Sequence, residues 1–139
     1  MELTREQVMV IKKTWAIFRD MEPRLVCDVF YGKLFYDNPP LRKLFPAEMD
    51  EQYAKLINML NRIVGRLDQL DSMTAELQAM GKRHATYGVR RELYGPVGIA
   101  LLWTLQQGLG ADWNSQTKLA WQTCYAKIAT IMQEAAQTP

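Results

Sequence analysis

Apolar residues recur three or four positions apart along almost the whole chain, the repeat of helices that bury one face. Val8, Ile11, Trp15 and Phe18 follow this spacing, and Thr4 with Gln7 forms a capping box that starts their helix. A second helix is expected to open at Pro23, a good first-turn residue, and to carry Leu25, Val29, Phe30, Tyr31, Leu34 and Phe35. Asp37-Asn38-Pro39-Pro40 stops it, because two prolines lack the amide hydrogens a helix interior needs. Leu41 to Phe45 then reads as a short helical turn ended by Pro46. A third long helix runs from about Met49 to Leu67, with Tyr53, Leu56, Ile57, Leu60, Ile63, Val64 and Leu67 inward. Asp68 to Ser72 is a polar break. A shorter helix from about Met73 passes His84 and ends near Tyr87-Gly88, where glycine can turn left-handed. A fifth covers about Glu92 to Leu109, stopped by Gly110. The last begins after Asn114 and presents Leu119, Trp121, Cys124, Tyr125, Ile128, Ile131 and Met132.

No strand alternation, repeat or interdomain linker interrupts this series, so the expected class is all-α, in one domain over 1–139. A chain of 139 residues can bury roughly two thirds of its unfolded surface, enough for a real core. Apolar residues at 48% and charged residues at 23% are ordinary for a globular protein and argue against disorder. The net charge is only +2, and no run of five or six like charges occurs. Neither nucleic acid nor a membrane is therefore an expected partner. The pairs Lys82-Arg83 and Arg90-Arg91 read as solvated surface. Cys27 and Cys124 have no metal-type spacing and read as small, reduced, apolar core residues. With no apolar signal region after Met1 and no long apolar run, the expected location is the cytoplasm.

Histidine occurs once, as His84. Alone it fits a surface residue or a hydrogen-bonded core residue as well as a ligand. Zinc wants three or four nitrogen, sulfur or carboxylate ligands at close spacing, which the sequence does not offer. Ser-His-Asp chemistry is not removed by counting, but no GxSxG-type nucleophile motif supports it. A haem iron needs only one protein ligand, since the porphyrin supplies four in-plane donors. One histidine is compatible with haem, and compatibility alone proves nothing.

The run Phe30-Tyr31-Gly-Lys-Leu-Phe35-Tyr-Asp-Asn-Pro39-Pro-Leu-Arg-Lys-Leu-Phe45 resembles the second helix and following corner of globins. Phe45 stands where the family has a phenylalanine packed flat on the haem. Lys82-Arg83-His84-Ala85-Thr86-Tyr87-Gly88-Val89 resembles the globin stretch around the iron-binding histidine, and Trp121 with Tyr125 is similar to the last helix of bacterial globins. The likeness runs in order along nearly the whole chain, nearest to bacterial single-domain globins and the globin domain of flavohaemoglobins. It implies a globin fold of about six to eight helices around a haem pocket, haem b as cofactor and His84 as metal ligand.

The resemblance also places Gln52 at the family's distal position and Leu56 one turn on, and aligns Tyr31 with a tyrosine of the same subgroup. Because there is no second histidine, two histidines of one chain cannot share the iron. Phe30, Phe45, Leu56, Met59, Leu60, Met80 and Val97 are expected to line the slot, although Met59, Leu60 and Met80 read equally well as ordinary core. Tyr31 offers a hydroxyl and Gln52 an amide to a bound gas, which predicts high oxygen affinity. On the proximal side Tyr94 matches a family tyrosine; the family's glutamate position falls on Ala136, with Glu134 two residues away, which weakens any expectation of peroxidase-like chemistry. Arg83 is a candidate for a haem propionate, a solvated arginine being the plainer reading. The resemblance implies reversible binding of dioxygen, CO or NO at a five-coordinate ferrous haem. The alternatives are nitric oxide dioxygenation with a separate reductase, and a gas-sensing domain. A monomer or weak homodimer is expected.

Overall fold

The computed structural model describes residues 2–137. Six α-helices form where the apolar repeat predicts them: α1 (Arg5–Arg19), α2 (Pro23–Asp37), α3 (Asp50–Gly65), α4 (Thr74–Thr86), α5 (Tyr94–Leu109) and α6 (Ser115–Ala136). The described residues contain no strand. Local chemistry sets the boundaries. Thr4 accepts from the Gln7 amide while the Gln7 side chain accepts from the Thr4 amide, both at 3.0 Å, so the capping box forms. Asn114 caps α6 by accepting from the Thr117 amide at 2.9 Å. Gly88 turns left-handed at φ 93° after α4; its amide reaches the Ala85 carbonyl, and the Val89 amide reaches the His84 carbonyl at 3.0 Å. This pair of bonds is a Schellman motif.

The segment between α3 and α4 corrects the sequence expectation. Instead of a polar break, Leu67–Met73 is a 3-10 helix kinked at Gln69, and it begins where α3 was expected to continue. Three residues per turn bring Leu67, Leu70 and Met73 onto one face, and all three are buried. The turn before α3 is likewise 3-10, over Pro39–Leu44, with both prolines in its first turn. In α6, Leu119 faces solvent at 56% exposure rather than the core, as does Leu25 in α2.

Two apolar clusters organise the helices. The larger joins α1, the end of α3, the 3-10 segment, α4, α5 and α6 around Ile11, Trp15, Leu77, Leu105 and Trp121. Its indoles are satisfied: Trp15 donates to the Asn61 side chain at 2.8 Å and Trp121 to the Thr14 hydroxyl at 3.0 Å. α4 packs most extensively on α6, and glycine allows it. A Cβ at Gly81 would collide with the backbone carbonyl of Met132 and stand 2.6 Å from its Cα. The smaller cluster gathers Cys27, Phe30, Tyr31 and Leu34 of α2 against Ala100 of α5. Cys27 and Cys124 are buried free thiols.

Candidate functional site

Tyr31 lies on the inward face of α2, 4% exposed, inside a cage of aromatic rings. Phe30 meets it edge-on at 4.9 Å between centroids and Phe45 at 5.6 Å, while Tyr53 stacks parallel to it at 5.4 Å. Its hydroxyl accepts a hydrogen bond from Gln52 Nε2 of α3 at 3.0 Å. With that lone pair engaged, the hydroxyl hydrogen remains to be donated elsewhere. Burial pushes the phenol up to about 12, opposed by the Gln52 bond, so Tyr31 stays a neutral donor at physiological pH.

The two distal candidates are held by a network the sequence reading did not include. The Tyr53 hydroxyl donates to Asp28 at 2.7 Å, Cys27 Sγ lies 3.6 Å from the Tyr53 carbonyl, and Arg24 pairs with Asp50 at 2.8 Å. Together these pin the start of α3 to α2. The sequence signal was slight: Tyr53 sits beside Gln52, and Asp28 and Arg24 look like ordinary surface charges.

On α4, the His84 ring is half-buried and its Nδ1 lies 2.7 Å from the Met80 carbonyl. A carbonyl can only accept, so Nδ1 carries the proton and Nε2 keeps its lone pair. Burial holds the imidazole below its ordinary pKa, outweighing the Met80 bond, and this favours the neutral, ligating form. Among the described residues no group of three or more His, Cys, Asp or Glu converges as a metal site. His84 therefore offers one nitrogen ligand, the set a porphyrin-bound iron requires.

The apolar lining is only partly joined by the protein itself. Phe45, Leu56 and Val97 pack with Phe30 and Tyr31 in the smaller cluster, whereas Met59, Leu60 and Met80 lie against the larger one. Ile57 and Leu101, absent from the sequence-derived list, touch both. The i, i+4 spacing of Val97 and Leu101 could have signalled the second. α3 is strongly amphipathic, yet it buries only Ile63 and Val64; Leu56, Ile57, Met59 and Leu60 remain half-exposed. Four apolar side chains of α3 without full protein cover, two of which (Leu56 and Ile57) pack with the Tyr31 cluster, fit a flat apolar cofactor.

Of the remaining candidates, Tyr94 opens α5, and its carbonyl accepts from the Tyr125 hydroxyl at 2.6 Å. Tyr125 lies over Gly98, where a Cβ would stand 2.7 Å from its ring, so α5 and α6 meet closely behind Val97. Burial raises the Tyr94 phenol. Arg83 is exposed, with no ion pair among the described residues.

The chain resembles known proteins along most of its length. The chain is 25% identical to neuroglobin-1 of Oncorhynchus mykiss, covering 94% of this chain and 91% of that protein. It is 28% identical to the flavohemoprotein of Rhizobium meliloti (strain 1021) over 89% of this chain, but spans only 33% of that longer protein. A bacterial globin structure from Campylobacter jejuni superposes with a TM-score of 0.82 at 26% identity, covering 96% of each chain. No helix among the described residues is long and apolar enough to cross a membrane. The sequence pattern of the globin family matches residues 28–132, spanning Tyr31, Gln52 and His84, so the chain belongs to the globin family, whose implied cofactor is haem and whose ligands are small gases.

Proposed function

We propose that the chain, as one globin domain, holds haem b through His84 Nε2 and binds dioxygen or another diatomic gas reversibly and tightly. Haem supplies the iron at which such a gas is held. The protein's part is to orient the imidazole, exclude water and donate hydrogen bonds. The Met80 carbonyl fixes the tautomer and heading of His84. Phe45, Leu56, Val97 and Met80 provide apolar cover, and Tyr94 lies behind Val97 at the start of α5.

The observation that carries this reading is the Gln52–Tyr31 hydrogen bond. It brings two donors from different helices to one point and leaves the Tyr31 hydrogen and the second Gln52 amide hydrogen to serve a ligand. A hydrogen bond to a charged acceptor contributes about 1.5–3 kcal/mol, roughly ten- to hundredfold in release rate. Stopped-flow measurement of oxygen dissociation tests it. Tyr31→Phe should accelerate release by about tenfold or more, and Gln52→Ala, which removes one donor and loosens the other, by a comparable factor. Unchanged release in both variants would refute the distal assignment.

A second reading is nitric oxide dioxygenation, in which dioxygen, NO and one supplied electron give nitrate. The alignment to the globin-sized third of a flavohemoprotein favours it. Sustained NO consumption with a cellular reductase is expected under this reading; a single turnover that stops leaves gas binding as the function.

A further inference from the structure

The sequence holds six tyrosines, and the fold gives one of them a partner the others lack. Among the described residues only the Tyr53 hydroxyl donates to a carboxylate, that of Asp28, at 2.7 Å, the short length of a charge-assisted bond. The Tyr125 hydroxyl donates to a backbone carbonyl, and the Tyr31 hydroxyl meets the Gln52 amide. Neither of those partners is a base that takes up a proton. The Tyr53 ring is also in contact with the interior. It stacks on Tyr31 with 1° between the ring planes and 5.4 Å between centroids. Tyr31 is the buried donor that the haem reading sets at the bound gas. Tyr53 is half-exposed and Asp28 exposed, so two rings span the distance from the interior to solvent.

Removing an electron from a phenol makes its proton strongly acidic. A tyrosine with no base in reach must keep that proton on a cation radical, which is costly. A tyrosine already bonded to a carboxylate passes the proton along an existing hydrogen bond. Oxidation of the stacked pair therefore comes to rest on Tyr53, not on Tyr31. Burial and the Asp28 bond push the Tyr53 phenol up to about 12, so it holds its proton at physiological pH and has one to give. Arg24 stands over the same ring at 5.8 Å, and its charge is matched by Asp50 at 2.8 Å.

We propose that Tyr53, with Asp28 as its proton acceptor, is a one-electron discharge site that empties, through the Tyr31 ring, the oxidising equivalents hydrogen peroxide leaves on the haem. The proposal rests on the haem reading above. In each discharge step one electron passes from Tyr53 by way of the Tyr31 ring to the oxidised haem, and the phenolic proton crosses to Asp28 Oδ1. Tyr53 is left as a neutral radical, and the haem is one equivalent less oxidised. A small soluble reductant such as ascorbate returns the electron at the half-exposed ring and releases a proton to solvent, while Asp28 hands its own proton back. Over a full cycle hydrogen peroxide takes up two electrons and two protons and becomes water, and the haem returns to the ferric state.

Ferric protein reconstituted with hemin is mixed with an equivalent of hydrogen peroxide, frozen at intervals and read by electron paramagnetic resonance. A tyrosyl radical should appear. Tyr53→Phe should remove it, and the haem of that variant should bleach faster under peroxide. Asp28→Asn keeps both rings and removes the base, so it should lower the radical yield by about tenfold or more, with Asp28→Glu restoring it. The parent protein supplies a test that needs no variant. Treated with peroxide and a nitroso spin trap and then digested, it should carry the adduct on Tyr53. An adduct on the exposed Tyr36 or Tyr87 instead would overturn the proposal. So would a parent that forms no radical, or a signal unchanged in Tyr53→Phe and Asp28→Asn. A protein that shows no Soret band after hemin addition removes the haem reading and this proposal together. A normal Soret band with the radical elsewhere removes the discharge proposal alone.

Discussion

The two apolar clusters differ in how completely the chain covers them. Around Trp15 and Trp121 every partner is protein: Ile11 and Leu77 are fully inaccessible, the indoles have acceptors, and Gly81 lets α4 lie directly on α6. Along α3, which borders the Tyr31 cluster through Leu56 and Ile57, the packing stops short. α3 presents Leu56, Ile57, Met59 and Leu60 inward, yet each stays half-exposed, and α4 buries only Leu77 and Gly81. Interiors normally pack to crystal-like density, so apolar side chains left half-open along an amphipathic helix mark surface meant for something other than the chain. One region is a finished core, and the other is a core with one component supplied from outside.

The strongest way to break this contrast is to remove the ligand for that component. His84→Ala should abolish normal haem ligation, and because haem binds the native state it should also lower the melting temperature of the reconstituted protein. An unchanged iron spectrum would refute the assignment of His84. Next in size, Leu105→Ala in the finished core should cost about 2–5 kcal/mol with haem present or absent, measured by urea unfolding. Leu56→Ala should behave differently, costing less than about 1.5 kcal/mol in the apoprotein, where its surroundings are already open, and more in the holoprotein. Equal costs in both forms would erase the distinction between the regions. The smallest effect is expected from Tyr53→Phe, which keeps the ring stacked on Tyr31 and loses only the bond to Asp28. A loss of about 0.5–1.5 kcal/mol should appear as modestly faster oxygen release, with Tyr53→Ala larger.

Much of this arrangement was legible beforehand, for identifiable reasons. Helix repeats, the Thr4-Gln7 box, Pro23, the Pro39-Pro40 stop and Gly88 are local signals, and local chemistry decided those boundaries. The likeness to globins named Tyr31, Phe45 and Gln52, and the first packs on the second and bonds the third. What escaped the reading depended on tertiary partners. Leu67, Leu70 and Met73 bury through a three-residue period inside a stretch that looks polar when read at 3.6. Leu119 sits in a helical apolar series yet faces water, because α4 and α1 cover other faces of α6. The Tyr53–Asp28 bond joins residues on different helices, and no spacing within either helix announces it.

The end of α4 has a further consequence. The His84 carbonyl is tied to the Val89 amide, and its ring is tied to the Met80 carbonyl, so backbone and side chain are both immobilised before any iron arrives. Freezing a free side chain upon association usually costs about 0.5–1.5 kcal/mol. Here that ordering is completed during folding, so recapture of a departing haem should be fast, and dissolved imidazole, which must surrender its own freedom of movement, should compete poorly for the same coordination position.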